Sequence, residues 1–261
     1  MKLLRRTLLS VFITLAVIFV GMQWIAPAAL SFYAARNALP AARVVPTDLK
    51  DKSVSETPGK KLSYIGYEFD VPWSDLDETR TKVYPKDKSD KTRVDLHFRS
   101  GLRMWVTAIP PRSWATELST DFKVPPQRVE SSFGESDYSF VKTLYEFTPD
   151  KMNHWSLSQR VHGREEFLLL VKSVALPRSA ETGIFNLQNQ SYKGFQDGNP
   201  QVRQDGIIVH LFSDDGSVEM IFLQKDYQNP AGVSQPEINR IVESLHKATQ
   251  VGAAASQMTT K

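Results

Sequence analysis

Hydrophobic and polar positions alternate along much of this chain, and the changes of period mark out its elements. Tyr67, Phe69 and Val71 interleave with Glu68 and Asp70, the period-two pattern of a half-buried strand; it predicts a strand over residues 64–71, stopped by Pro72. Residues 75–90 carry charges of mixed sign and read as a solvated loop. Val94, Leu96 and Phe98 then form one apolar face, and Leu102, Met104, Val106 and Ala108 another. A three-residue loop, Arg99-Ser100-Gly101, pairs Phe98 with Leu102 and brings these faces together. That loop type ends on a residue with positive φ, the position Gly101 fills. A second hairpin spans residues 207–223. Pairing Phe212 with Ser217 sets Ile207, Val209 and Leu211 against Phe222, Met220 and Val218, and places His210 opposite Glu219 on the other face.

Between the hairpins the period lengthens. Residues 113–120 and 137–147 read as helices, the second with Val141, Leu144 and Tyr145 on one face and Ser136 as N-cap. Thr148-Pro149 resembles a further helix start. Residues 164–176 place Phe167, Leu170, Val171 and Val174 at helical spacing, although the run from Leu168 to Val171 also fits a buried strand. Strand character returns at Phe185, Leu187, Tyr192 and Phe195. Ser234-Gln235-Pro236-Glu237 is a capping box that opens a final helix, with Ile238, Ile241, Val242 and Leu245 as its stripe and Asn239, Arg240 and Glu243 opposite. Strands at both ends with helices between them predict an α+β fold, a mainly antiparallel sheet covered by helices.

The opening strand, Gly66-Tyr67-Glu68-Phe69-Asp70-Val71-Pro72-Trp73, and the closing helix from Glu237 to Leu245 resemble those of the small α/β/α sandwiches of the PsbP and Mog1 type. The resemblance implies a non-catalytic accessory protein that binds a larger assembly, and it assigns no site residue.

Ahead of the domain, residues 7–35 run without a charge, just after Lys2, Arg5 and Arg6. A helix over residues 8–25 is about 27 Å long, close to the hydrocarbon thickness of a bilayer. The expectation is an N-terminal signal anchor over residues 1–35, then a stalk over 36–61, an extracytoplasmic domain over 62–247 and a disordered tail over 248–261. The positive flank keeps the N-terminus cytoplasmic, with the chain at the inner membrane. Ala26-Pro27-Ala28 supplies the other reading, a secreted protein cleaved after Ala28.

With Lys2, Arg5, Arg6 and Arg36 set aside, 28 of the 32 basic residues remain against 29 acidic ones. A near-neutral domain lacks the footprint of a nucleic-acid binder. The absence of cysteine excludes disulfides, thiolate metal sites and a Cys nucleophile.

The remaining templates fail one by one. His162-Gly163-Arg164-Glu165-Glu166 lacks the second histidine of a zinc helix, and Gly134-Glu135-Ser136-Asp137-Tyr138 lacks the last glycine of a nucleophile elbow. No cofactor and no metal are expected. His97 is expected to be exposed, and His154 and His246 show no partner. His210 with Glu219 is either an acid/base pair or an ordinary cross-strand polar pair. Trp105, with Arg103 and Thr107 on the polar side of its strand, is either core or the mark of an interaction surface. These readings lead to a membrane-anchored binding protein with a protein partner at the cell envelope. An envelope hydrolase using His210 and Glu219 stands as the alternative.

Overall fold

The computed structural model describes residues 40–248, apart from 86–90, 122, 152–167, 169–170, 173–175, 177, 204–205 and 225–231. Strands β1 (Pro46–Asp48), β2 (Lys60–Tyr64), β3 (Tyr67–Val71), β4 (Lys82–Tyr84), β5 (Thr92–His97) and β6 (Leu102–Ile109) precede helices α1 (Ser113–Asp121), α2 (Pro126–Phe133) and α3 (Asp137–Glu146). Strands β7 (Ile184–Gln188), β8 (Lys193–Asp197), β9 (Ile207–Ser213) and β10 (Gly216–Gln224) follow, then α4 (Gln235–Ser244) and β11 (His246–Lys247). One sheet has eight strands in the order β1-β7-β8-β9-β10-β6-β5-β4, and a smaller one has the order β11-β3-β2. Among the described residues only the β1–β7 pair is parallel, so the fold is α+β with a dominant antiparallel sheet.

Both hairpin registers follow from the apolar alternation. The amide of Phe98 donates to the carbonyl of Leu102 at 2.9 Å, and Gly101 closes the loop at φ 94°. Phe212 faces Ser217, and the six core residues of β9 and β10 are fully buried. Together with Phe69, Ile238 and Ile241 they form a core between the large sheet and the layer made of the small sheet and α4. A second core lies on the opposite face, where Ile184, Phe195 and Phe212 meet Leu118, Val129, Phe133, Phe140 and Leu144 of the helices. The sheet is thus packed on both sides over β7–β9.

Several expectations need correction. The single strand over 64–71 is a hairpin, β2–β3, turned at Ile65 and Gly66, both with positive φ. The loop over 75–90 contains β4 and a bridge from Leu76 to Phe98. Helix α2 has an unremarkable sequence, and β11 adds a short strand beside β3. Within the stretch expected as a stalk, β1 pairs with β7, Ala42 is buried, and the carbonyls of Asp51 and Ser53 accept from Asn239 of α4. Asn239 therefore faces inward, in a buried amide chain that runs through Gln235 to Gln196 on β8.

The membrane reading is also corrected. No helix among the described residues is long and apolar enough to cross a membrane. The segment over 8–25 on which the reading rested, and the cleavage site after Ala28, lie outside the described residues. The single-pass anchor, its inner-membrane topology and the membrane contact are therefore not carried forward. Most of 164–176 and the tail beyond 248 also lie outside, although Leu168, Val171 and Lys172 are helical.

Candidate functional site

Cross-strand pairing brings the chemistry together under the helices. His210 on β9 faces Phe195 on β8 and Glu219 on β10, and Asp197 lies diagonal to it, two residues beyond Phe195. All project to the helix side of the sheet. The His210 ring is held between two carboxylates, with Nε2 3.2 Å from Asp197 Oδ2 and Nδ1 3.5 Å from Glu219 Oε2. The first distance suits a hydrogen bond. The second is an electrostatic contact, and Nδ1 has no hydrogen-bond partner among the described residues. From α3 the Tyr145 hydroxyl donates to the same Asp197 oxygen at 2.7 Å, and Trp114 of α1 stands edge-on to the imidazole at 5.4 Å. Asp197, Tyr145 and His210 are buried; the Glu219 side chain keeps 23% of its exposure and is the outlet of the cluster.

Burial disfavours a charged His210, but the hydrogen bond with Asp197 and the negative charges of Glu219 and Asp197 outweigh it, and its pKa stands above the ordinary value. Burial and the adjacent Asp197 carboxylate hold the Tyr145 hydroxyl well above its usual range. In its protonated form the imidazole has two N–H donors and no free lone pair, so in that form it can donate a proton to either carboxylate side but not accept one. On the far side of Tyr145, the buried Lys172 ammonium donates to the backbone carbonyls of Val44, Tyr145 and Phe147 at 2.9, 2.9 and 2.5 Å. Burial, with Lys151 nearby, lowers its pKa to about 8. Tyr145 is thus pinned at its hydroxyl and at its carbonyl.

Farther along the same face, Trp105 is half-buried. The guanidinium groups of Arg93 and Arg103 each lie 5.0 Å from its ring, and Arg93 also covers Tyr84 at 4.7 Å. Arg103 grips the buried Asp95 with two hydrogen bonds, and His97 Nε2 lies 3.3 Å from the same carboxylate. His97, expected to be exposed, is instead largely covered, because Asp95 draws it onto the sheet. His246 has a partner after all, Glu68 at 3.4 Å. Trp73 donates its indole N–H to Glu237 at 2.9 Å. The His162 segment and His154 lie outside the described residues, and among those described no group of side chains is arranged to hold a metal.

Chain geometry opens a groove elsewhere, at the outer edge of the sheet. Two clefts of about 500 and 580 Å³ adjoin there, sharing Tyr138, Gln188 and Lys193. The first runs between α3 (Tyr138, Lys142, Glu146) and α4 (Asn239, Val242, Glu243) across the edge of β7. The second continues past Asn189–Tyr192 toward Arg112 and Asp214. Ser136 caps α3 with a reciprocal Ser139 box, which fixes Tyr138 at the start of the helix. The Tyr138 ring is stacked on Phe195, 5.6 Å away and within 10° of parallel. Gly194 lets β8 run close to β9: a Cβ there would stand 1.8 Å from the His210 carbonyl oxygen. Neither cleft is lined by His210, Asp197 or Tyr145.

The sequence brought His210 and Glu219 together through the hairpin register. It missed Asp197 and Tyr145, which sit in separate elements, and the groove, whose walls come from β7, β8, α3 and α4. Comparisons with protein-family models, with curated proteins and with solved structures found no match. The resemblance to PsbP and Mog1 sandwiches finds no support there, nor does the accessory role that it implied, and the cell-envelope location rested on the membrane anchor corrected above. The layer opposite the helices is itself mostly sheet, unlike the second helical layer of such sandwiches.

Proposed function

We propose that this chain is a binding domain that takes a small polar ligand in the groove between α3, α4 and the β7–β8 strands, within a folded unit that includes β1. The observation that supports this most is the joining of two clefts at Tyr138, in a concave surface of mixed polar and apolar lining framed by α3, α4 and the β7–β8 strands. In this reading the His210 cluster is the internal tie that seats α3, the groove wall, on the sheet through Tyr145 and Asp197. Thermal denaturation against amino acids, dipeptides, sugars, nucleosides and carboxylates tests it. A ligand raises the midpoint of the native chain, and the gain disappears in Gln188→Ala and Asn186→Ala, whose exposed side chains leave the fold intact. A gain that survives both substitutions removes the groove from the account.

A second reading, hydrolysis with His210 and Glu219 as the acid/base pair, draws on one observation: Glu219 is partly exposed while within 3.5 Å of the imidazole. It requires that Glu219→Gln abolish a measured ester or amide hydrolysis without unfolding the chain. Turnover that persists in this variant, or its absence from the native chain, rejects it.

A further inference from the structure

We propose that the ligand of this groove is a neutral oligosaccharide of several sugar units, a proposal that rests on the binding reading above and adds its chemical class. Four features of the groove select for that chemistry.

In the first cleft the charges cancel, and the second adds Arg112 against Glu135, Asp137 and Asp214. Lys52, Lys142 and Lys193 share the first cleft with Asp48, Glu146 and Glu243, and Lys142 is itself paired with Glu146 at 3.8 Å. A polyanion such as a nucleic acid or a polyphosphate is attracted by a single-signed field, which this lining does not provide. The unspent hydrogen-bonding capacity is instead neutral and two-sided. Gln188 and Gln190 carry exposed amides with no internal partner among the described residues. Asn186 donates to Asp48 at 3.1 Å and keeps its own oxygen free of such a partner. An amide both donates and accepts, as a sugar hydroxyl does, so the two match along a row.

At the junction stands an aromatic ring. Tyr138 belongs to both clefts, and its stack on Phe195, with Phe212 tilted against it at 6.0 Å, prevents it from turning away. A fixed, half-exposed ring offers the C–H faces of a pyranose a flat apolar surface between hydrogen-bonding walls. Shape supplies the last feature. The two clefts share Tyr138, Gln188 and Lys193 and extend from Asp48 and Glu243 on one side to Arg112 and Asp214 on the other, room for a chain rather than a single ring. An extended peptide would gain its affinity by adding a strand to a free sheet edge. Here β1 pairs with Ile184, Phe185 and Asn186 of β7 and is itself the outermost strand, so the edge on offer is the three residues of β1 and the last two of β7, a short template for strand addition.

The test is a calorimetric titration of the full chain with cellotetraose, chitotetraose and maltotetraose, accompanied by amide shift mapping. At least one tetraose binds with Kd below about 10 mM. Gln188→Ala weakens that binding about tenfold, as does Tyr138→Ala. Gln188 is exposed on β7, so its variant keeps the result readable if Tyr138→Ala disturbs α3. Diglycine and citrate serve as non-saccharide probes. If no tetraose binds while either probe shifts groove amides, the saccharide proposal fails and the binding reading stands. If neither the tetraoses nor the probes shift the groove, both fail. Binding that is indifferent to Gln188→Ala places the sugar elsewhere and overturns the proposal.

Discussion

At the scale of single residues, the cost of burying His210 is set against two carboxylates. The imidazolium offsets the desolvation of Asp197, and Tyr145 satisfies the same oxygen from the helix side. Removing one partner of such a cluster leaves the others buried and unbalanced, which costs about 3 kcal/mol or more. The sign of the pH effect follows from the raised pKa of His210. Its charge-linked stabilisation is complete below the unfolded value of about 6.5 and fades as pH rises through the higher folded value. Urea denaturation of His210→Gln therefore shows its largest deficit at about pH 6 and a smaller one at about pH 9. An equal deficit at both would mean that His210 acts by shape alone. Of this cluster, His210 and Glu219 were legible because two turn residues fix a hairpin register. Asp197 and Tyr145 were not, since their proximity depends on which strand lies beside β9 and how α3 crosses it.

At the scale of elements, local signals were reliable wherever one residue had one physical task. Gly101 ends a three-residue loop because positive φ is needed there, and Ser234 and Ser136 cap helices because the first turns carry orphan N–H groups. The signal at Gly66 was as clear in kind, but the apolar run continuing through Ile65 hid the turn in a single strand. Asn239 was assigned outward by periodicity, yet it is buried because residues 51–53 fold back over α4 and supply acceptors. Gly194 shows a constraint that no local pattern reveals. Its hydrogen faces the His210 carbonyl on β9, and Gly194→Ala forces β8 and β9 apart at the centre of the sheet. That substitution lowers stability by more than about 2 kcal/mol in chemical denaturation. If alanine is accommodated without loss, the strands do not approach as closely as described.

At the scale of the whole molecule, the α+β class was readable from the order of the patterns, whereas the layering was not. The helices that follow β6 cover β7–β9 on the far side of the sheet, and residues 40–58 close its edge. This arrangement turns the face bearing His210 inward and moves the accessible concavity to the β7–β8 edge. On the same face the half-buried Trp105 ring has the guanidinium groups of Arg93 and Arg103 against it. Function on this account belongs to the groove, and the buried cluster maintains its wall. The most direct measurement is amide shift mapping of the full chain with the ligand that most raises its thermal midpoint. A ligand seated in the groove perturbs residues 136–142 and 186–194, with His210, Glu219 and Thr107 little changed. Perturbations centred on Glu219 and Thr107, with the β7–β8 edge silent, would contradict it.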